Sequence, residues 1–398
     1  LPTIRGMARK PAPAFAQRAR RGEPSNAAAP EQPPEKTEAA IELGLVYLAR
    51  QQLADGRWSL SRNGVDLIRA PRERPQLESD AAATGLALLA FLGAGYDHFD
   101  DKYQDVVGAG LNFLVQQQKP DGNLYLPGDL ASSKYAHFYS HGIAAIALCE
   151  AYGMTGDPAI QGPAQKAIQF IARTQHPTYG GWRYFPGTGS DLSVSGWQVM
   201  ALKSGELAGL QVAPEVYERA QKFLNQCHGP GENRSQFIYN PYADTEDARR
   251  RHGRHASTVM TSVGLLTNLY LGKNRDDSAI RQGAEHLLAN LPIHGTNSRP
   301  AVIGTLDNPL RDTYYWYYAT QVMFHMKGKY WKHWNARLHP LLIESQTQVG
   351  PLAGSWNPFQ PVPDQWVTHG GRLYVTTMNL LSLEVYYRHL PLYEATGQ

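Results

Sequence analysis

The chain has 398 residues, of which only 18% are charged, and its formal net charge is +3. A charge this small argues against a nucleic-acid partner, because nucleic-acid-binding proteins carry dense basic patches. The two cysteines, Cys149 and Cys227, are too few for a disulfide framework or a four-cysteine zinc site.

The first 36 residues predict a flexible linker, and residues 37–398 are predicted to form one domain. The linker segment is rich in Ala, Pro, Arg and Glu and has no apolar periodicity, so it cannot bury a core. Such a start leaves open a membrane tether upstream of Leu1. The longest uncharged run, residues 81–96, is shorter than the ~20 residues that span a bilayer. A bacterial envelope-associated location and a cytoplasmic one both stay open.

A unit of about 55–65 residues recurs about six times along the chain. The first half of each unit has apolar residues at helical spacing, a Gln near its end and a Gly-rich turn that often carries Trp. This pattern predicts a helix with one buried face. Clear copies are residues 44–58, 110–122 and 167–182, and weaker copies are residues 220–226, 283–288 and 340–356.

The second half of each unit is more apolar throughout. In residues 79–91 and 190–202 a Ser-Asp pair, a hydroxyl residue, Gly and Ala recur in register, and residues 140–145 are a third copy. Further copies begin near residues 257, 312 and 376. A helix that is apolar all round must be surrounded by protein, whereas a helix with one polar face lies outside.

Six alternations of these two helix types predict an all-α, (α/α)6 toroid of six helical hairpins, with an inner and an outer ring of helices. Ser or Asp before an inner segment is typical of an N-cap. All inner helices are then expected to begin on one side, where their positive dipole ends surround one mouth of the barrel. A ligand site is expected at that mouth.

The Phe/Tyr-Leu…Gln…Gly-x-Trp pattern, clearest from Gly44 to Trp58, resembles the repeat of squalene cyclases and related terpenoid cyclases. The β subunits of protein prenyltransferases share the same toroid. The resemblance covers about residues 37–392. It implies that Gln and Trp tie each outer helix to the start of the next inner helix.

The resemblance also implies an Asp-x-Asp-Asp motif whose middle Asp protonates an alkene, but this chain lacks it. At Asp191-Leu192-Ser193-Val194 only the first Asp is kept, and a hydroxyl such as Ser193 cannot replace a strong acid. The near match Asp244-Thr245-Glu246-Asp247 runs into a cluster of arginines, which is typical of an exposed charged loop. A prenyltransferase-like zinc site has no diagnostic spacing here, since Cys227 is typical of a small packing residue. We expect no metal and no cofactor.

Three aspartates are the candidate catalytic residues, because Asp80, Asp191 and Asp312 each begin an inner helix, in units one, three and five. Evenly spaced units would place them around the mouth, although a simple N-cap role is the commoner reason for an aspartate at a helix start. The candidate ligand cavity combines aromatic residues, which can hold a polyene, a carbocation or a sugar ring, with polar residues near helix starts. Its members are His141, Trp197, Thr258, Tyr314, Tyr315 and Trp316.

Three functions follow from these candidates. The first is a domain that binds a hydrophobic, isoprenoid-like or extended ligand in an aromatic cavity without standard cyclase chemistry. The second is a terpenoid-cyclase-type isomerase with a non-standard acid, either Asp191 or the 244–247 loop. The third is a carbohydrate-active enzyme that uses two carboxylates across the mouth. A hydrophobic small molecule or a glycan is the expected partner, and a protein partner stays open.

Overall fold

The computed structural model describes residues 10–16, 35–61, 75, 77–99, 102–126, 133–229, 234–243, 255–294 and 311–388. Within these ranges twelve long helices alternate between two rings, and no strand is present. The outer helices are α1 (Glu35–Gln51), α3 (Gln104–Gln117), α5 (Pro158–Arg173), α7 (Pro214–Gln226), α9 (Ser278–Leu288) and α11 (Gly328–Ser345). The inner helices are α2 (Asp80–Gly93), α4 (Ser133–Thr155), α6 (Leu192–Leu207), α8 (Thr258–Tyr270), α10 (Thr313–Met326) and α12 (Val367–Leu383).

The inner helices form a closed ring. Each packs against the next one along the chain, and α12 packs back against α2. Every residue of α10 is buried, whereas outer helices such as α7 bury only one face. The predicted all-α toroid with inner and outer rings is therefore confirmed. The described ranges hold six helices of each kind, and the hairpin count for the whole chain stays a prediction.

Two inner helices begin earlier than their repeats predict. Helix α4 begins at Ser133, seven residues before the predicted start at Ser140. Ser140 lies inside the helix, where its hydroxyl donates to the Ala136 carbonyl at 2.8 Å and contacts the Ser79 hydroxyl of α2. Helix α12 begins at Val367 and has a kink at Gly371, whose φ is +62°.

A glutamine clamp joins neighbouring outer helices in four of the repeats. The side-chain Nε2 of each glutamine donates to a glycine carbonyl in the following turn and to a carbonyl in the first two turns of the next outer helix. Each clamp adds hydrogen bonds between a turn and the next outer helix, and so holds the ring of outer helices together. The donors are Gln52 (to Gly56 and Val106), Gln118 (to Gly122 and Pro163), Gln175 (to Gly180 and Val216) and Gln346 (to Gly354 and Ala40).

The repeat tryptophan makes a different connection. Its ring Nε1 donates to a carbonyl of its own outer helix, and its backbone N–H donates to a hydroxyl on the following inner helix. The resemblance implied that Gln and Trp both lead to the inner helix, whereas here only Trp does so and Gln joins two outer helices. The three sets are Trp58 with Leu48 and Thr84, Trp182 with Ile171 and Ser195, and Trp356 with Leu342 and Thr376.

Both ends of the described chain contact the end of the barrel opposite the mouth, where the inner helices finish. In the segment predicted as a linker, a 3-10 turn at Pro13–Phe15 packs the ring of Phe15 against Gly153, and the Ala12 N–H donates to the Gly153 carbonyl at 2.8 Å. The short helix α13 (Val385–Arg388) contributes Arg388, which is paired with Glu150 at 3.0 Å. Residues 12–15, within the segment predicted as a linker, thus contact the end of α4.

Candidate functional site at the mouth of the barrel

The three candidate aspartates are placed in two different ways. Asp191 caps α6 and Asp312 caps α10, each through an Oδ1 that accepts from the backbone N–H three residues on, at 2.9 and 3.0 Å. Helix α2 is capped by Ser79 instead, and Asp80 is its first residue. Asp80 forms a partly exposed ion pair with the Nε of Arg57 at 3.1 Å. The three carboxyls therefore lie in different environments, although their positions in the repeats are similar.

Asp191 is fully buried, and the Tyr239 hydroxyl lies close enough to its carboxyl to oppose part of the effect of burial. Burial raises the pKa of Asp191 to about 7, against the opposing effects of the Val194 N–H and the charge of Arg183. Tyr139, Tyr184 and Tyr239 lie near enough that the Asp191 charge adds to burial in raising the pKa of each phenol. Asp191 is therefore a carboxyl that holds a proton near neutral pH within a group of tyrosines.

Asp312 belongs to a carboxyl pair at the same mouth. Its Oδ1 also accepts from the Trp366 Nε1 at 3.1 Å, and burial followed by the charge of Asp364 raises the pKa of Asp312 to about 7. Asp364 accepts from the Thr313 N–H at 3.1 Å and lies 3.8 Å from the Nε of Arg311. Sequence reasoning missed Asp364 and Arg311, because both lie just outside the repeated segments.

A chain of hydroxyl groups crosses the mouth. The Tyr139 hydroxyl donates to the Ser193 Oγ at 2.8 Å, and the Ser193 Oγ lies 2.7 Å from the Tyr314 hydroxyl. This hydroxyl chain links α4, α6 and α10, although α8 separates α6 from α10 in the ring. Ser193, at the position where the acid motif would place its proton donor, is the centre of the chain.

Aromatic rings fill the barrel below the hydroxyl chain. Trp197 of α6 stacks on Tyr317 of α10 with ring centroids 5.6 Å apart and an interplanar angle of 12°. Trp197 also meets Tyr318 edge-on at 5.8 Å, and Tyr318 contacts Tyr314 at 4.9 Å. Since α6 and α10 are not neighbours in the ring, the contacts of Trp197 with Tyr317 and Tyr318 cross the interior of the barrel.

Three further members of the predicted cavity point away from the mouth. The Tyr315 hydroxyl donates to the Asn290 carbonyl at 2.8 Å, and Trp316 stacks on His294 at 5.7 Å. The Thr258 hydroxyl lies 3.1 Å from the Nε2 of His286 on outer helix α9. The aromatic run that begins at Tyr314 thus divides between the mouth, the barrel interior and the outer layer, as a helix requires of consecutive residues.

His141 has a structural environment. Its Nδ1 accepts from the Leu124 N–H and its Nε2 donates to the Ala167 carbonyl, both at 3.1 Å. Burial lowers the pKa of His141 to about 3, so the imidazole is neutral. In the second repeat, His141 occupies the position that Thr84 and Ser195 occupy in the first and third repeats.

The accessible part of the mouth is an aromatic rim of partly exposed side chains, namely Tyr139, Tyr184, Tyr239, Trp366 and, most exposed, Tyr135. The alternative acid segment, residues 244–247, lies outside the described residues. Within the described ranges no group of three His, Cys, Asp or Glu side chains is arranged to hold a metal ion. No helix in those ranges has the length and hydropathy needed to cross a bilayer.

Comparison with known proteins identifies the architecture. No family model and no curated protein matches the sequence. Among solved structures, a variant of the type II terpene cyclase MstE from Scytonema, in complex with its product merosterolic acid A, is 14% identical with a TM-score of 0.53, covering 90% of this chain and 98% of that one. The 398-residue chain therefore has the fold of a terpenoid-cyclase-like α/α toroid.

Enzymes that act on glycans share the toroid. An α-1,6-mannanase from Salegentibacter sp. HEL1_6 is 12% identical with a TM-score of 0.58, covering 88% of this chain and 99% of that one. An α-amylase from Clostridium perfringens is 11% identical with a TM-score of 0.55, covering 88% and 98% of the two chains. The toroid therefore carries more than one chemistry, and its shape does not decide the reaction.

Proposed function

We propose that this toroid binds an extended, largely apolar ligand at the mouth and does not start a cation cyclisation. The hydroxyl chain Tyr139–Ser193–Tyr314 carries the proposal, because it places a polar anchor at the centre of an aromatic rim. Rings on the rim supply apolar contact area, while the hydroxyls and the protonated Asp191 suit the hydroxyl or carboxyl group of an isoprenoid-like molecule.

The absence of cyclisation follows from acidity. Protonating an alkene needs a strong acid in a dry site, and a carboxyl whose pKa is about 7 holds its proton too firmly for that step. Ser193, at the expected donor position, is committed to two hydroxyl contacts. The aromatic contacts of Trp197 with Tyr317 and Tyr318 also restrict the depth to which a folded polyene can enter between α6 and α10.

A carbohydrate-active enzyme is the second candidate, favoured by the lone carboxyl of Asp191 and the carboxyl pair Asp312–Asp364 at the mouth. A carboxyl with a pKa near 7 suits a general acid for glycoside cleavage, and a second carboxylate is needed opposite it. Asp191 and the pair Asp312–Asp364 supply groups of these types on separate inner helices. The aromatic rim would then stack on sugar rings.

The test is a binding assay with purified protein, squalene and mannotriose, followed by mass spectrometry of the extracted ligand. Retained, unchanged isoprenoid supports the proposal. A cyclised product overturns it in favour of an isomerase with a non-standard acid. Cleaved or selectively retained mannotriose overturns the proposal in favour of a carbohydrate-active protein.

Substitutions in the hydroxyl chain test whether the ligand binds there. Tyr139→Phe and Tyr314→Phe keep the rings and remove one hydroxyl each, and we expect isoprenoid affinity to fall about 2- to 10-fold, the effect of one hydrogen bond. Tyr217→Phe is the matched control, because its hydroxyl contacts Glu206 on the outer surface. Equal affinity in all three variants would contradict binding at the hydroxyl chain.

A further inference from the structure

Residues 12–15, here called the docked segment, lie against the end of the barrel opposite the mouth. They contact α4 and α6, although residues 17–34 separate them from α1 along the chain. The twelve long helices of the two rings are formed without them. The docked segment therefore behaves as a ligand added to the toroid and not as part of a repeat.

One side chain anchors the docked segment. Phe15 is 3% exposed, whereas Pro13 is exposed and Ala12 and Ala14 are half-buried. The Phe15 ring occupies the space beside Gly153, since a Cβ at this glycine would lie 2.4 Å from the ring atom Cε2. The missing side chain on α4 thus makes room for an aromatic ring. A single buried ring can supply most of the binding energy of a short peptide.

A backbone hydrogen bond fixes the position of the docked segment on α4. The carbonyls in the last turn of a helix have no donor within the helix. The Asp157 N–H, four residues after Gly153, donates to the Thr155 hydroxyl at 3.2 Å. The Gly153 carbonyl accepts instead from the Ala12 N–H at 2.8 Å. The docked segment therefore completes the end of α4 while its ring fills the space beside the same glycine.

The docked segment is also preorganised for binding. Ala12 has a φ of −61° and a ψ of 145°, the extended conformation that a following proline favours. Pro13 then begins the 3-10 turn, in which the Phe15 N–H donates to the Ala12 carbonyl at 2.8 Å. Because the rings of Pro11 and Pro13 fix their own φ angles, less backbone freedom is lost on docking.

We infer that the surface of α4 and α6 around Gly153 is a binding site for a Pro-Ala-Phe peptide, and that residues 12–15 of the same molecule are its reversibly bound ligand. The site differs from the proposed mouth site in place and in chemistry, so neither depends on the other. A tethered ligand has an effective concentration of about a millimolar. A free peptide of the same sequence should therefore reach the site only when the chain's own phenylalanine is removed.

The experiment is isothermal titration of the full chain with an N-acetylated peptide that has the sequence of residues 10–16. Phe15→Ala frees the site in the protein, and we expect it to bind the peptide saturably. The wild type should bind the same peptide about 10-fold more weakly or worse, because its own segment competes. A peptide that carries Phe15→Ala should bind neither protein.

Two glycine substitutions in the Phe15→Ala protein test the position of the site. Gly153→Ala places a methyl group where the ring must enter, and peptide affinity should fall about 10-fold or more. Gly162→Ala on α5 is the matched control, because a Cβ there meets nothing within 4 Å. Alanine favours a helix more than glycine does at both positions, so both variants should keep the fold, which thermal unfolding checks.

The outcomes are distinct. The inference is overturned if Phe15→Ala does not bind peptide saturably up to about 5 mM, a concentration above that of a tethered segment. Equal peptide affinity in the wild type and Phe15→Ala, or unchanged affinity after Gly153→Ala, also overturns it. Sedimentation of the wild type tests the occupant, and a monomer supports docking within one molecule. A dimer that Phe15→Ala dissociates would assign the site to the segment of a second copy and overturn docking within one molecule.

Discussion

Asp80 and Asp191 hold similar places in two repeats, yet only Asp191 loses contact with water. Asp80 pairs with Arg57 at the edge of the barrel, while Asp191 is enclosed by tyrosines. Because burial disfavours the charged form, the folded protein binds the Asp191 proton more tightly than the unfolded chain does.

At the scale of this residue, the structure predicts a pH dependence of stability. The folded pKa of Asp191 is about 7, against about 3.9 for an unfolded aspartate, so the folded state binds more protons between these values. The contribution of Asp191 to the free energy of unfolding should therefore fall as the pH rises from about 4 to about 7 and level off above that, whereas histidines whose pKa burial lowers, such as His141, act in the opposite direction. Asp191→Asn keeps the cap and should remove the Asp191 contribution, at most about 4 kcal/mol.

The measurement is urea unfolding of the wild type and the variant at several pH values. Asp312→Asn should flatten the same window, because burial and Asp364 also raise the pKa of Asp312 to about 7. Asp80→Asn leaves both buried carboxyls intact and serves as the control. The difference in unfolding free energy between the wild type and Asp191→Asn isolates this carboxyl from the opposing histidines, and a difference that does not change between pH 4 and pH 7 would refute the assignment.

At the scale of the elements, the turn after four of the outer helices depends on one glycine. Gly180 has a φ of +79°, and a Cβ at this position would lie 2.3 Å from the Arg219 carbonyl oxygen of the next outer helix. The turn and the neighbouring helix thus approach closely enough for the Gln175 clamp to reach both.

Gly180→Ala should therefore cost more than backbone strain alone. Gly209 provides the matched control, since its φ is +83° and a Cβ there would meet nothing within 4 Å. Gly209→Ala should lose about 1–2 kcal/mol for the left-handed conformation, and Gly180→Ala should lose at least twice as much. Thermal and urea unfolding of the two variants decide this, and equal losses would mean that the close approach is not maintained.

At the scale of the whole molecule, Gln346 closes the ring. Its Nε2 donates to the Ala40 carbonyl at 2.8 Å and to the Gly354 carbonyl at 3.1 Å, so it joins the last outer turn to the first outer helix. The other clamps join helices that are already neighbours along the chain.

Gln346→Ala should destabilise the fold by about 1–3 kcal/mol, because it removes two buried hydrogen bonds between the last repeat and the first. Hydrogen exchange should also become faster in α1, which the variant releases from the last repeat. Gln165→Ala removes an exposed bond to the Gln211 carbonyl and should change neither quantity much. Unaltered protection of α1 in Gln346→Ala would show that helix packing alone closes the ring.

Much of the architecture was predictable because each repeat contains the residues that form its local contacts. The Gln and Trp positions, the positive-φ glycines and the apolar inner segments each reflect contacts within one repeat or with its neighbour. The start of α4 was mispredicted because Ser140 resembles a cap, whereas its hydroxyl bonds back to Ala136 within a longer helix.

The candidate site was less predictable. The sequence suggested Asp191, Asp312 and Tyr314 as mouth residues but assigned Ser193 only a lost function. Asp364 and Arg311 carry no motif, and they become neighbours of Asp312 only because the loop before α12 folds onto the start of α10.

The sequence by itself determined the alternation of helix types, the turns between them and the absence of the Asp-x-Asp-Asp motif. These properties depend on periodicity, backbone conformation and residue identity, all of which are local. Only the tertiary structure decided which side chains meet across the ring, which carboxyls lose water and where residues 12–15 dock. Those properties depend on distances between residues far apart in the chain, such as Ser193 and Tyr314, and no local pattern encodes them.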